Sequence, residues 1–403
     1  MSALTDRLPI ARPLGSAVVA AAACLSAYLY IRPALRHHIK PPATALARGR
    51  TQSAHGGLSG HLPYPPDAFP GARDVETPYG TIRVFEWGPE HGEKVLLIHG
   101  IGTPSIALGD MASHFVSRGC RVMLFDLFGR GYSDAPTDIP YDDRLYVSQI
   151  LLVLASSPLP WTGSAGFHIL GYSLGGALTA AFAAYFPHML RSATLVCPGG
   201  LMRPSHVGAK SRLLYSEGIL PEWLIRRLVR GRLEPQHGGP SADVPVDDAG
   251  DETSLDFDDV PLSNDAPAPR VGDAMRWQLG TNDGLVGAYI STLRNAPIYG
   301  QHDGLWRRLS ERLAERRVTS GVVPPGLPGG KVCLILAEAD PIVIKEEWVE
   351  DSREVLGEDG VTISIVPGGH EIAITKGQVV AELAMAAWNE EPEPWTLTGE
   401  VRC

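Results

Sequence analysis

Cysteine is scarce in this sequence, and the few that occur follow no regular spacing. The chain of 403 residues has five cysteines, which argues against a fold built on disulfides. No Cys-x-x-Cys pair, His-Glu-x-x-His motif or glycine-rich phosphate-binding loop is present, so the usual zinc and nucleotide sites have no sequence support. We therefore predict no cofactor and no metal.

Basic residues are also in the minority. The 35 lysines and arginines stand against 45 acidic residues, giving a formal charge of −10. A protein with this balance lacks the basic surface that binds phosphate backbones, and we predict no nucleic-acid partner. The length is ample for one large catalytic domain, since about 320 residues can bury a full core.

Residues 171–175 read Gly-Tyr-Ser-Leu-Gly, with a strand-like apolar run before them and an alanine-rich, helix-like run after them. A serine at such a strand-to-helix turn is held in a sparsely populated backbone conformation, which exposes its hydroxyl. The helix N-terminus beside it favours the negative charge that develops in acyl transfer. Ser173 is the predicted nucleophile.

A serine nucleophile needs a base, and the base needs an acid to orient it. Asp340 ends a strand-like run that begins at Lys331, and His370 follows a second strand at 361–366. Both would lie with Ser173 at the carboxyl edge of a parallel sheet, where active sites of such sheets form. We predict Asp340 as the acid and His370 as the base; Glu338 and Asp126 are weaker alternatives for the acid.

The chain order serine, aspartate, histidine matches that of the α/β-hydrolase fold. Over residues 73–390 the sequence resembles serine hydrolases of that superfamily. Residues 99–102 read His-Gly-Ile-Gly, similar to the family's His-Gly-x-Gly motif, and residues 126–133 resemble its Asp-x-x-Gly-x-Gly-x-Ser loop. The implied fold class is α/β: a mostly parallel sheet flanked by helices, with a helical cap inserted before the strand that carries the acid.

The same resemblance implies roles for residues around the serine. The backbone N–H groups of Ile101 and Leu174 would form the oxyanion hole. His99, Gly100 and Asp126 would organise the loops without reacting.

The order of elements predicts how the chain is divided. About 130 residues separate the strand that ends near 197 from the next at 331, far more than a loop within a sheet requires. An acidic, proline-rich stretch within them has too little apolar surface to order itself. We predict a membrane-anchoring segment at 1–40, a linker at 41–72, core at 73–200, a cap at 201–330 with a disordered insert at 235–270, core at 331–392 and a tail at 393–403.

The N-terminal segment carries 19 consecutive uncharged residues, 13–31, between basic flanks. This length just suffices to span a bilayer, and the excess of basic residues after it predicts that the catalytic domain faces the cytosol. Membrane lipid is thus a predicted partner. A cleaved signal peptide and a soluble or merely surface-bound helix are the alternatives.

The predicted function is a serine hydrolase acting through an acyl-enzyme, most simply a carboxylic ester hydrolase for a hydrophobic or lipid-like substrate. Apolar cap residues are expected to line its pocket: Trp223, Leu224, Trp277, Leu285 and Tyr289. A carbon–carbon bond hydrolase, a thioesterase or a non-catalytic receptor or scaffold of the same fold are the alternatives, because substrate choice resides in cap residues that carry no motif.

Overall fold

A computed structural model describes residues 18–26, 39–40, 63–163, 166–235, 257–263, 268–317 and 322–388. The chain divides into two units, residues 1–38 and 39–403. The first contributes a helix at 18–26, and no helix in the described ranges is both long and apolar enough to cross a membrane. The outer parts of the predicted anchor, most of the linker and the tail lie outside the described residues.

Eight strands form the main sheet of the described structure. They are β1 (Arg73–Thr77), β2 (Gly80–Trp87), β3 (Lys94–Ile98), β4 (Arg121–Phe125), β5 (Phe167–Tyr172), β6 (Leu190–Val196), β7 (Val332–Ala337) and β8 (Val361–Val366). Their order across the sheet is β8-β7-β6-β5-β3-β4-β2-β1. The pairs β1–β2 and β2–β4 are antiparallel and all others are parallel, which confirms the predicted mostly parallel sheet.

The central strands are buried from end to end. Every residue of β5 and β7 is inaccessible to solvent or nearly so, which requires a covering layer on both faces of the sheet. The longer helices that provide it are α1 (Gly109–Ser117), α2 (Asp143–Ala155), α3 (Leu174–Tyr185), α8 (Arg307–Ala314), α9 (Lys345–Leu356) and α11 (Gly377–Trp388), with the short α10 (Ile372–Thr375). Helix α1 packs on α11, whereas α3 packs between α2 and α8.

The insertion between β6 and β7 holds four further helices: α4 (Ala209–Tyr215), α5 (Glu222–Leu233), α6 (Val271–Thr281) and α7 (Leu285–Asn295). Helix α5 packs on α7, and α6 also contacts α7. Helix α8 lies within the predicted cap range of 201–330, but it packs on α3 and α9 and so belongs with the helices that flank the sheet.

The predicted disordered insert at 235–270 is wrong for residues 257–263. Phe257, Val260 and Leu262 are buried, and Pro261 forms a β-bridge with Arg270. The prediction averaged charge over the whole stretch, and these three apolar side chains are enough to order their own short segment by burial. Residues 236–256 and 264–267 lie outside the described ranges.

A buried carboxylate joins four parts of the core at one edge of the sheet. Glu86 on β2 is 4% exposed and pairs with Arg73 of β1 at 2.9 Å and Arg121 of β4 at 3.3 Å. It also accepts hydrogen bonds from Ser157 Oγ and Trp161 Nε1, at 2.8 and 3.2 Å. The segment between α2 and β5 is thereby tied to the sheet.

Replacing Glu86 with alanine should lower the free energy of unfolding by about 3 kcal/mol, because two partly buried guanidinium groups lose their counter-charge. Urea unfolding followed by circular dichroism measures the change. The matched control is Glu93→Ala, which removes a half-exposed partner of Arg191 and should cost less than about 1 kcal/mol. Equal losses in the two variants would contradict the assignment of Glu86 as a structural tie.

His168 on β5 should make folding sensitive to acid. Its ring is stacked on Trp388, with 3.7 Å between ring centroids, and burial together with the nearby charge of Arg191 lowers its pKa to about 3. Between pH 7 and 5 the unfolded chain therefore binds a proton that the folded chain does not, and about 2 kcal/mol of stability should be lost. In His168→Gln the fall in unfolding free energy over this range should be smaller; an unchanged pH dependence would contradict the prediction.

Candidate active site

Ser173 occupies the turn between β5 and α3 in a conformation that side chains rarely adopt, with φ of 55° and ψ of −117°. Close packing of backbone around the turn explains its glycines. A Cβ atom on Gly171 would overlap the carbonyl oxygen of Gly175, and one on Gly175 would overlap that of Ile98 on β3. The chain can therefore bend sharply and hold the serine hydroxyl above the edge of the sheet.

His370 joins the serine and the predicted acid in one hydrogen-bonded chain. Its Nε2 lies 3.0 Å from Ser173 Oγ and its Nδ1 lies 2.7 Å from Asp340 Oδ2. The other oxygen of Asp340 accepts the amides of Ile342 and Val343 at 2.8 and 2.9 Å, so the carboxylate is fixed from both sides. The structure thus brings the three residues predicted as nucleophile, base and acid into contact.

The two alternatives considered for the acid lie elsewhere. Glu338 is exposed. Asp126 is fully buried but is occupied with other groups: Oδ1 accepts the amide and hydroxyl of Ser105 at 2.9 and 2.6 Å, and Oδ2 accepts the amide of Tyr132 at 2.9 Å. Asp126 holds together the loops that follow β3 and β4.

Ile101 and Leu174, the two residues predicted to supply the oxyanion hole, both lie beside the serine. Leu174 is the first residue of α3, so its N–H has no partner within the helix. Ile101 follows Gly100, whose backbone passes so close that an added Cβ would lie 3.4 Å from that of Ser173. Both residues line the cavity at Ser173, as the predicted oxyanion hole requires.

The ring of His99 fixes the loop that carries Ile101. Its Nδ1 lies 2.8 Å from the carbonyl oxygen of Gly100, and its Nε2 accepts the amide of Leu127 at 2.9 Å. This pairing requires the proton on Nδ1. Complete burial lowers the pKa of His99 to about 3, so the ring stays neutral and keeps this tautomer at physiological pH.

Arg130 ties the same loop to the core and to the cap. The side chain is fully buried and donates to the carbonyl oxygens of Ile101 and Phe128 at 3.0 and 2.9 Å. It also donates to Tyr146 Oη at 3.0 Å and, across to cap helix α7, to Thr292 Oγ1 at 2.9 Å. A buried cation thereby connects the predicted oxyanion loop with the cap.

Gln278 of cap helix α6 makes a second connection to these loops. Its amide nitrogen donates to the carbonyl oxygen of Gly102 at 3.0 Å, and its Oε1 accepts the amide of Gly131 at 2.8 Å. Sequence patterns did not single out this residue, because a glutamine on an amphipathic helix has the same appearance whether it faces solvent or a buried loop.

Cys197 is another residue near the triad that the sequence did not reveal. It follows β6 with a positive φ of 40°, and its sulfur, a carboxylate oxygen of Asp340 and a ring nitrogen of His370 lie within 4.8 Å of one another. Burial, followed by the charge of Asp340, raises the thiol pKa well above its usual value. The sulfur therefore stays protonated beside the carboxylate, where a thiolate metal ligand would be disfavoured.

The cavity at Ser173 is small and apolar, with a volume of about 30 Å³. Its remaining walls are side chains of the cap and of the loop after Asp340: Met202, Leu293, Ile298, Tyr299, Ile342 and Val343. Leu293 and Tyr299 also line an outer cleft of about 500 Å³ between α4 and α7. The five cap residues expected to line the pocket line neither space, since the helical pattern shows which residues are apolar but not which helix faces the serine.

Comparison with known proteins places this geometry in a family. The model of a family described as alpha/beta hydrolase fold matches residues 94–376. A serine hydrolase-like protein of Danio rerio is 30% identical over 129 residues, which are 32% of this chain and 38% of that protein. Monoacylglycerol lipase ABHD6 of Rattus norvegicus is 29% identical over 120 residues, 29% of this chain and 34% of the lipase.

The matches to both curated relatives span between a third and two fifths of the relatives' length. The solved structure of a hydrolase from Pseudomonas aeruginosa PA01 superposes with a TM-score of 0.53 at 15% identity, covering 79% of this chain and 97% of its own. It shares the fold. Because the family model covers well over half of its length, the chain belongs to the alpha/beta hydrolase fold family.

Proposed function

We propose that this protein is a serine hydrolase that cleaves carboxylic esters of hydrophobic, acyl-bearing compounds. The observation that carries the proposal is the hydrogen-bonded chain from Ser173 through His370 to Asp340, which faces an apolar cavity beside two main-chain amides. The similarity to a monoacylglycerol lipase supports an acyl ester as substrate.

The mechanism follows from the positions of the hydrogen-bonding groups. His370 Nε2 removes the proton as Ser173 Oγ attacks the ester carbonyl, and Asp340 holds the ring tautomer and stabilises the imidazolium. The amides of Ile101 and Leu174 stabilise the tetrahedral oxyanion. His370 then protonates the leaving alcohol and activates a water molecule, which releases the acid from Ser173.

The two cavities favour a substrate with a long or bulky apolar part. The space at Ser173 is little larger than a water molecule requires, so most of the substrate must occupy the outer cleft. Leu293 and Tyr299 line both spaces, so a passage between the cleft and the cavity would run along these two side chains. Apolar side chains at this passage are suited to an acyl chain or another hydrocarbon group.

Covalent labelling tests the nucleophile directly. A fluorophosphonate probe should modify Ser173, identified by mass spectrometry of the peptide, and Ser173→Ala should lose the label and about ten thousand-fold or more in ester turnover while remaining folded. Ser117→Ala, an exposed position on α1, is the matched control and should keep both. Folded wild-type protein that takes up no label at Ser173 would overturn the proposed function.

Leu293→Trp tests the route of the substrate. The added ring should obstruct the passage, so kcat/KM for a dodecanoyl ester should fall about tenfold or more, whereas an acetyl ester that fits nearer the serine should be much less affected. Leu213→Trp, at an exposed site on α4, is the control for adding the same ring to the cap. An equal loss of kcat/KM for the dodecanoyl and acetyl esters would show that the substitution disturbs the folded site and does not selectively obstruct long acyl chains.

A further inference from the structure

Cap helix α5 is amphipathic, and its outer face differs from an ordinary solvated surface. The inward side is a buried stripe of Ile225, Val229 and Leu233, and the helix packs on α7. This packing buries the apolar side of the helix and so accounts for its stability in the cap. Further large apolar residues that are exposed on the other faces are therefore not explained by this packing.

Such residues are nevertheless present. Trp223 on α5 is 68% exposed and Ile219, in the turn before it, is 65% exposed. Leu228 on α5 and Leu213 on α4 are each about half exposed. A tryptophan so open to water is unusual for a soluble surface, and a group of exposed apolar residues marks a surface that contacts another phase or molecule.

Arginines are interspersed with these apolar side chains. Helix α5 has four arginines and one glutamate, a local charge of +3 (4 minus 1), on a chain whose formal charge is −10. Arg227 and Arg230 form a stripe with Trp223 at helical spacing and are exposed. Neither forms an ion pair with any residue that the structure describes.

We propose that this cap surface, formed by Trp223, Arg227 and Arg230 on one face of α5 together with Ile219 in the turn before it, binds an anionic lipid bilayer. A helix lying in the plane of the interface inserts tryptophan and aliphatic side chains at the level of the headgroups, and its arginines contact lipid phosphates. The local positive charge of α5 attracts an anionic membrane even though the protein as a whole is negatively charged. The residues of this surface do not include any of the N-terminal segment.

Docking by the cap surface would orient the active site. Glu217, two residues before Ile219, lines the outer cleft. A bilayer bound at Ile219 and Trp223 would lie beside that cleft, so an amphipathic substrate could pass from the membrane toward Ser173. This consequence rests on the proposed function, whereas the binding itself does not.

Fluorescence quenching reports which surface contacts the bilayer. The vesicles contain phosphatidylglycerol and brominated phosphatidylcholine, and the bromine atoms quench tryptophans that enter the bilayer. The full chain contains eight tryptophans, so the informative quantity is the difference between wild type and Trp223→Phe. We expect quenching in the wild type that is largely lost in the variant. Equal quenching in the two proteins, or no quenching in either, would overturn the proposal. Equal quenching is also the result expected if only the N-terminal segment binds the vesicles.

Vesicle sedimentation separates the roles of charge and apolar contact. The first double variant is Arg227→Ser/Arg230→Ser, which should weaken partitioning into phosphatidylglycerol vesicles about 30-fold, at a little over fivefold for each arginine. The second is Ile219→Ser/Trp223→Ser, which should weaken partitioning about tenfold or more. The matched controls are Arg307→Ser/Arg308→Ser on α8 and Val379→Ser on α11, and they should partition as the wild type does. Losses of equal size in patch and control variants would overturn the proposal.

A second copy of the chain is the other occupant that the test can reveal. Sedimentation velocity of the wild type and of Ile219→Ser/Trp223→Ser, without vesicles, measures self-association. A monomer in both is the expected result. A dimer that these substitutions dissociate would assign the surface to contact between copies and would overturn membrane binding. Hydrolysis of a short water-soluble ester should be unchanged in all patch variants, which keeps this test distinct from that of the triad.

Discussion

The close approach of β3, β5 and α3 around Ser173 is the constraint on which the rest of the site depends. The serine can adopt its positive φ only because Gly171 and Gly175 let backbone atoms of neighbouring segments come within contact distance. The sheet and helix pay for this local strain through burial of their apolar residues. Any side chain at either glycine would move the hydroxyl relative to His370, since the same atoms that permit the turn also determine its position.

Asp340 and His370, the proposed acid and base, are placed by the sheet rather than by local sequence. Asp340 and His370 follow the adjacent parallel strands β7 and β8, whose register brings Ala337 opposite Val366. The two loops therefore leave the sheet side by side. Backbone amides then fix the Asp340 carboxylate, and the orientation of His370 follows from that of the acid. Most of this arrangement uses main-chain groups, which explains why few side chains around it need a particular identity.

These features explain how far the sequence alone was informative. The order of strands and helices, and the positions of Ser173, Asp340 and His370, could be predicted because each depends on local patterning and on the general rule for parallel sheets. Side-chain contacts between distant segments could not. The sequence around Cys197 gives no sign of its neighbours, and the pairing of β6 with β7 brings its thiol to Asp340. The pocket walls could not be predicted because amphipathic spacing shows which side of a cap helix is buried but not which element it packs against. The order of residues 257–263 could not be predicted because the stretch around them is rich in acidic residues.

The buried guanidinium of Arg130 has a consequence for how the site opens. Lifting the cap away from the sheet would break the hydrogen bonds from Arg130 to Thr292 and from Gln278 to Gly102, each with a net contribution of about 1–3 kcal/mol when water replaces the partner. Rotation of the Leu293 and Tyr299 side chains breaks none of these bonds. On the proposed function, substrate exchange by rotation of these two side chains would leave the cap bonded throughout to the loops around Ser173.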